Sequence, residues 1–387
     1  MIHHGSPHTA VTIVGAYGAG NLGDDALLAS VLTALRGIVS DNRVCIRTLH
    51  RAPYVAQWFP DVTVVSSGDS VRVRTNLLLF GGGTQFYSFA NACATRGRRL
   101  RSINKYLLRP RLLWRRLRMV GTFQGIVSDR TAAVSVGIGP FVPGSFQEER
   151  ARALLRSCDW ISVRDTLSLG FCGRWGITRA LLYPDLCFAS ELWGFDGLTN
   201  PGIGSAVARV GVIVRDWPRT IMGQAYFEPL RKAVAQMRAE GLAVTYLSLG
   251  VSSDSKTVRT LEQAGEKVVK WDPGNSTVVE FAERLRSFHL LITARVHAVI
   301  IGATLGIPSI AIGIEPKLEI VREQLGAGTR GWAPPFDPDV LLSQVREISR
   351  TYPRVCETVI TKASACACQA RESVRRLRRY VDSVVNG

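Results

Sequence analysis

Short apolar runs alternate along this chain with stretches whose apolar residues recur every three or four positions. The runs at 11–15, 44–49, 76–80, 132–138 and 160–163 read as strands. Between the first two lies a helical pattern over 26–39, with Leu27, Leu28, Val31, Leu32, Leu35 and Ile38 on one face. A second helix is predicted over 148–157. Strands alternating with helices build parallel sheets from βαβ units. Between about 188 and 208 the rhythm breaks in a stretch rich in glycine and turn residues, ELWGFDGLTNPGIGSA. It then restarts, with strands at 210–214, 244–249, 267–271, 290–293 and 309–314. Helices are predicted at 226–240, 257–264, 277–287, 296–305, 316–325 and 340–349, and a long closing helix at 357–385. The pattern predicts an α/β protein with two Rossmann-like domains, 1–195 and 205–350, and a C-terminal helical segment, 351–387. Ligands of such sheets bind at the carboxyl ends of the strands, here in a cleft between the domains.

The stretch 293–317, TARVHAVIIGATLGIPSIAIGIEPK, sets Arg295, His297 and Lys317 into the most apolar part of the sequence. Charged side chains are rarely buried without a partner, and burying them costs several kcal/mol unless an opposite charge compensates. An anionic ligand would compensate all three. The apolar run 289–314 is long enough to span a membrane, but Arg295, His297 and Pro308 make it strand, helix, strand instead.

Gly18-Ala19-Gly20-Asn21-Leu22-Gly23 follows a strand and opens a helix, the context of a dinucleotide fingerprint. The acidic residue that an NAD site wants at the end of the second strand is missing, since that strand ends Thr48-Leu49-His50-Arg51. Arg51 would suit a 2′-phosphate, but Asp24 and Asp25 would meet a bound pyrophosphate with two like charges. Asp24 is either a cap of the helix or a base exposed in the cleft. Asn21 suits a left-handed position in the loop on either reading. Gly81-Gly82-Gly83 makes either a tight turn from strand to helix or a close backbone approach to a ligand. Arg164 ends a strand beside Asp165, as half of an internal ion pair or as a bidentate anion ligand. Asp185, in Tyr183-Pro184-Asp185, is a turn or cap residue or a ligand.

In chain order these motifs are GNLGDDA, LLLFGGG, SVRD, YPDLCF, and the segment from Arg295-Val296-His297 through Gly306-Ile307-Pro308 to Pro316-Lys317. The ordered set resembles the polysaccharide pyruvyl transferase family and covers roughly 11–325. The resemblance implies a GT-B-like fold and transfer of a pyruvyl group from phosphoenolpyruvate to a sugar, forming a ketal on two hydroxyls. It places Asp24, Arg164, His297 and Lys317 on positions that matter for activity and Arg295 on the family's arginine two residues before the histidine. His297 is then the general acid and Asp24 the base, with the two roles open to exchange. Arg164, Arg295 and Lys317 are available to hold the phosphate and carboxylate of the donor, and Asn21, Gly81 and Gly82 are expected at the substrate site. Phosphoenolpyruvate is the donor substrate, no other cofactor is implied, and no metal-ligand set stands out. Glu315 departs from the pattern by adding a negative charge near the anion site.

The chain has 387 residues, 46% of them hydrophobic, and a formal net charge of +17, which favours anionic partners. Ten Lys and Arg residues and no acid fall within 96–118, interleaved with Leu100, Tyr106, Leu113 and Trp114. That segment reads as a basic amphipathic surface for an anionic membrane, or as a guide for a lipid-diphosphate-linked sugar acceptor. Nucleic acid is not expected, because no nucleic-acid module accompanies the charge. Eight cysteines without a C-x-x-C pair read as buried free thiols of a reducing, cytoplasmic compartment. With 96–118, peripheral attachment to the inner face of the membrane is the further expectation. Two rival functions share these features. One is a GT-B glycosyltransferase using a nucleotide sugar, and the other a non-catalytic membrane-associated scaffold of polysaccharide assembly.

Overall fold

The alternating runs resolve into two fully parallel sheets. The computed structural model describes residues 8–69, 71–88, 125–196, 206–219 and 223–387. The first sheet holds β1 (His8–Val14), β2 (Val44–Thr48), β3 (Thr63–Ser66), β4 (Val73–Phe86), β5 (Ile126–Ile138), β6 (Trp160–Val163) and β7 (Leu181–Leu182), in the order β3-β2-β1-β4-β5-β6-β7. The second holds β8 (Arg209–Val214), β9 (Ala243–Ser248), β10 (Val268–Lys270), β11 (Leu290–Thr293), β12 (Ser309–Ile312) and β13 (Thr329–Trp332), in the order β10-β9-β8-β11-β12-β13. Each order reverses once, between β1 and β4 and between β8 and β11. A crevice opens outside the strand ends at such a point. Helices cover both faces, so the central strands are apolar on both sides and read as continuous runs.

The helices used below are α1 (Leu22–Leu35), α2 (Pro53–Trp58), α3 (Phe146–Ser157), α4 (Thr166–Arg174), α5 (Phe227–Ala239), α6 (Ser255–Gln263), α7 (Val278–Arg286), α8 (Val296–Thr304), α9 (Pro316–Leu325), α10 (Pro338–Arg350) and α11 (Tyr352–Val385). Three of the sequence expectations change. First, α1 starts at Leu22 rather than 26, because the glycine loop is short and its acidic residues lie inside the first turn. Second, β4 does not stop before the glycines. It runs through them, paired with β5 at Gly81 opposite Val134 and Gly83 opposite Val136. Gly82 and Gly83 take φ of 67° and 71°, a conformation that glycine adopts without strain. The run is therefore a kinked strand and not a turn into a helix. Third, α11 begins at Tyr352, since Pro353 fits the first turn, where its missing N–H is not needed.

The 34 residues of α11 bury one face, from Val355 and Val359 through Ala363, Ala367, Ala370 and Val374 to Leu377 and Val381. It packs against α8, α9 and the 326–328 turn of the second domain and then against α1, β4, β5 and β6 of the first. On the first domain Arg371 pairs with Glu191 at 2.6 Å, and Arg378 donates to the carbonyls of Ala34 and Arg36 at 2.9 and 2.8 Å. Tyr380 stacks on Trp160.

The domains also meet through backbone. Leu22 N–H donates to the Leu249 carbonyl at 3.0 Å, and Val251 N–H to the Gly20 carbonyl at 2.9 Å. Below them, Trp271 Nε1 donates to Asp25 Oδ2 at 2.9 Å in a buried contact, and Tyr54 donates to the other oxygen at 2.8 Å. Cys45, Cys158, Cys172, Cys187, Cys356 and Cys366 are buried free thiols, whereas Cys368 is exposed on α11. The basic segment 96–118 and Cys93 lie outside the described residues. Among the described residues, no helix is long and apolar enough to cross a membrane.

Candidate active site

The carboxyl ends of both sheets face one another across a cleft of about 230 Å³. The first domain lines it with the β1–α1 loop, the end of β4 and Arg164 after β6. The second supplies Arg215 after β8, Arg295 and His297 at the start of α8, and Glu315 and Lys317 at the start of α9. Asn21, Asp24, Arg164, Arg295, His297 and Lys317, expected together from the sequence, all line this cleft.

Asp24 does not cap α1. Asn21 occupies the N-cap position, in extended rather than left-handed backbone at φ −117°, and donates from Nδ2 to Asp24 at 2.6 Å. The left-handed positions of the loop belong to Gly18 and Gly20. Burial raises the Asp24 carboxyl above its ordinary range, against the opposing pull of His297, the Asn21 amide, Arg164 and Arg295. A carboxyl held this way keeps a proton to higher pH than an exposed aspartate does.

Gly23 explains how His297 fits. A Cβ at Gly23 would overlap the imidazole, so the ring of the second domain lies directly on the first turn of α1. His297 Nε2 stands 3.5 Å from Asp185 Oδ2 and has no aligned hydrogen-bond partner among the described residues. Asp185 also takes 2.9 Å from Arg164 Nη1 and accepts the Cys187 N–H. Burial would raise this carboxyl, but His297, Arg164 and the amide outweigh burial and hold it well below the usual range. Asp185 thus works both as the turn residue and as the partner of Arg164 and His297. A signal for it was present in Tyr183-Pro184-Asp185, but nothing local to that motif points at a histidine more than a hundred residues later.

Arg164 is only 6% exposed and donates to Thr84 Oγ1 at 2.8 Å as well as pairing with Asp185. Burial works against its charge, and Asp185 and Asp165 more than restore it. Asp165 caps α4 through the Ser168 N–H, and Arg164 is ion-paired, as one sequence reading expected, while also lining the cleft. Arg295 pairs with Asp254 and with Ser253 Oγ, yet its Nε is buried without a partner. Burial and the neighbouring Arg215 depress its guanidinium, and Asp254 offsets them only in part. Lys317, 9% exposed, is pushed down to about 8, chiefly by burial, although Glu315 pulls the other way. Glu315 is tied to Arg215 at 2.5 Å, so the departure from the expected pattern has its own cation. Arg215, Trp217 and Tyr87 were not anticipated, because a lone arginine after a strand carries no motif. The guanidinium of Arg215 lies over Trp217 at 4.1 Å, and Lys317 over Tyr87 at 5.5 Å.

Gly81 and Gly82 stand behind the cleft instead of lining it. A side chain at Gly81 would strike Tyr17, whose hydroxyl donates to the Gly81 carbonyl, and one at Gly82 would press on Leu27. Their smallness serves the packing of β4 on α1. The helix N-terminus that a dinucleotide would need is also engaged, because Leu22 N–H already serves the Leu249 carbonyl.

Asp185, Cys187 and His297 bring a carboxylate, a thiol and an imidazole within 4.8 Å of one another, a grouping that could hold a metal ion. The donors fit one poorly. Burial drives the Cys187 thiol far up, so it keeps its proton, and Asp185 is already bonded to Arg164.

The sequence profile described as polysaccharide pyruvyl transferase matches residues 21–316. The chain belongs to the polysaccharide pyruvyl transferase family. Membership in this family makes it a transferase that works in polysaccharide modification. No curated protein matches it in sequence. Its structure is similar to a UDP-GlcNAc 2-epimerase from Neisseria meningitidis bound to UDP-GlcNAc, at 10% identity and a TM-score of 0.54, over 96% of this chain and 100% of that one. It is similar to Anabaena HepE in complex with UDP, at 10% identity and TM-score 0.53, over 97% and 100%. A Rickettsia africae glycosyltransferase matches at 11% identity and TM-score 0.53, over 98% and 99%. At such identities the likeness establishes the GT-B fold, with its two facing Rossmann-like domains, and nothing about ligands.

Proposed function

We propose that this transferase moves a pyruvyl group from phosphoenolpyruvate onto two hydroxyls of a sugar, in a cell-surface polysaccharide or its lipid- or nucleotide-linked precursor. The observation that carries this reading is the charge of the cleft. Arg164, Arg215, Arg219, Arg295 and Lys317 line it with Asp24 and Glu315, while Asp185 and Asp254, which pair with Arg164 and Arg295, lie outside that lining. A small donor with a phosphate and a carboxylate matches that excess.

The chemistry divides between the donor's two carbons. His297 delivers a proton to the methylene carbon of the enol, which becomes the methyl of the ketal. Positive charge develops on the neighbouring carbon, and an acceptor hydroxyl attacks it while Asp24 takes the hydroxyl proton. Phosphate leaves with the electron pair of its C–O bond, stabilised by the surrounding cations. The second hydroxyl then closes the ring and its proton leaves with phosphate. Asp185 orients His297 and supports its charge. The raised carboxyl of Asp24 allows the two roles to be exchanged.

The test is incubation of the full chain with phosphoenolpyruvate and a panel of nucleotide- and lipid-linked sugars. Phosphate release together with a product mass gain is the expected result. His297→Gln should abolish both, with unchanged circular dichroism. No phosphate release with any acceptor would overturn the proposal. Release of a nucleotide from a nucleotide sugar would favour the glycosyltransferase, and no turnover of either kind the scaffold. We infer that the reaction runs in the cytoplasm, with 96–118 attaching the protein to the membrane surface. Flotation with anionic liposomes at low salt tests that placement, and absence of binding removes it.

A further inference from the structure

A second cavity, of about 300 Å³, lies beside the catalytic cleft and shares Ala16, Thr84 and Tyr87 with it. Its walls are largely apolar, formed by Val14, Phe80, Phe86 and Leu154. One buried charge breaks that character. Arg47 on β2 lines the cavity and is 4% exposed. Among the described residues its Nε and Nη1 are both buried without a hydrogen-bond partner, and it makes no ion pair. The Asp69 carboxylate, whose charge reaches it, is bonded instead to the Ser66 N–H.

The side chain reaches this place because of strand alternation. Val44 and Ile46 point into the core shared with α1, so Cys45 and Arg47 point to the opposite face of the sheet. A guanidinium held there unpaired is costly, and no packing role requires a charge among aromatic and aliphatic walls. A planar fork with free donors, facing an open cavity, is built for a carboxylate or phosphate.

We propose that this cavity binds an anionic group carried by the acceptor, with Arg47 as its counter-ion, so that the acceptor is an acidic sugar bearing a phosphate or a carboxylate. Calling the ligand an acceptor rests on the pyruvyl transferase reading; the anion site does not. The shared residues Ala16, Thr84 and Tyr87 place the sugar's hydroxyls toward Asp24 while its charge sits at Arg47. The apolar walls suit the C–H faces of a sugar ring.

Calorimetric titration of the full chain with glucose 1-phosphate, glucuronate and glucose tests this. At least one charged sugar should bind the wild type, and which one identifies phosphate or carboxylate as the group read. Arg47→Met should weaken that binding about ten-fold or more, and Arg47→Lys by less. Lys317→Met, which disarms the cleft's own anion site, should not reproduce the loss. Removing an unpaired buried charge should also leave the Tm of Arg47→Met at or above wild type. Equal affinity of Arg47→Met and wild type, no binding of either charged sugar, or a clear fall in Tm would each overturn the inference. Phosphate release from phosphoenolpyruvate is read separately. Its absence with every acceptor would sink the pyruvyl reading while leaving an Arg47-dependent titration standing.

Discussion

Gly23 and His297 show how much of this site depends on single atoms. The glycine lies on one domain and the imidazole on the other, and the ring occupies the space a methyl group would need. Gly23→Ala should therefore displace His297 and lower kcat by about 10² or more, the usual contribution of a positioned acid or base, with little loss of Tm. Equal kcat would show that the ring has room to move. Lys317 gives a pH dependence with a definite sign. Its folded value is lowered to about 8, so it is charged below that pH and neutral above it. Affinity for phosphoenolpyruvate should fall as pH rises through about 8, and binding above it should take up a proton. Lys317→Arg keeps its charge and should move this limb to higher pH, as KM against pH would show. Asp185→Asn removes the charge that faces both His297 and Arg164. It should lower kcat far more than it raises KM for the donor, and a change in KM alone would assign Asp185 to donor binding.

At the scale of elements, the start of α1 carries two tasks. Its backbone N–H at Leu22 joins the second domain, and Asp25 below it accepts from Trp271 and Tyr54. Burial raises the Asp25 carboxyl to about 7. The folded protein therefore holds this proton more tightly than the unfolded chain, and stability falls as pH rises from about 4 to about 7. Trp271→Phe deletes one donor to a buried carboxyl and should cost about 1–3 kcal/mol in urea unfolding. No change would mean the bond contributes nothing net. The strands and helices of both sheets were legible because buried parallel strands are continuous apolar runs, and Arg295, His297 and Lys317 because charge in such a run is conspicuous. What escaped was set by distance. The kinked path of β4 through Gly81-Gly82-Gly83 depends on pairing with β5, and Arg215 and Arg47 acquire meaning only from the cavities their strands end beside. β13 and β3 lie at the edges of their sheets, are only partly buried, and form no sustained apolar run.

At the scale of the molecule, the two domains are joined by the Gly20–Val251 and Leu22–Leu249 backbone bonds, the Asp25–Trp271 pair, and α11 packed on both. Leu377 is fully buried on α11, and Leu377→Ala should cost about 2–5 kcal/mol, lowering the stability of the whole fold rather than fraying one helix. Two separate unfolding transitions, with only one shifted, would contradict that coupling. The course of α11 also bears on how the protein is made. Domains usually fold as they leave the ribosome, the earlier before the later. Here the surface formed by α1, β4, β5 and β6 receives α11, which is translated only after both sheets. The first domain to emerge is thus the last to be finished, and throughout synthesis of the second it presents an uncovered apolar face for chaperones to guard.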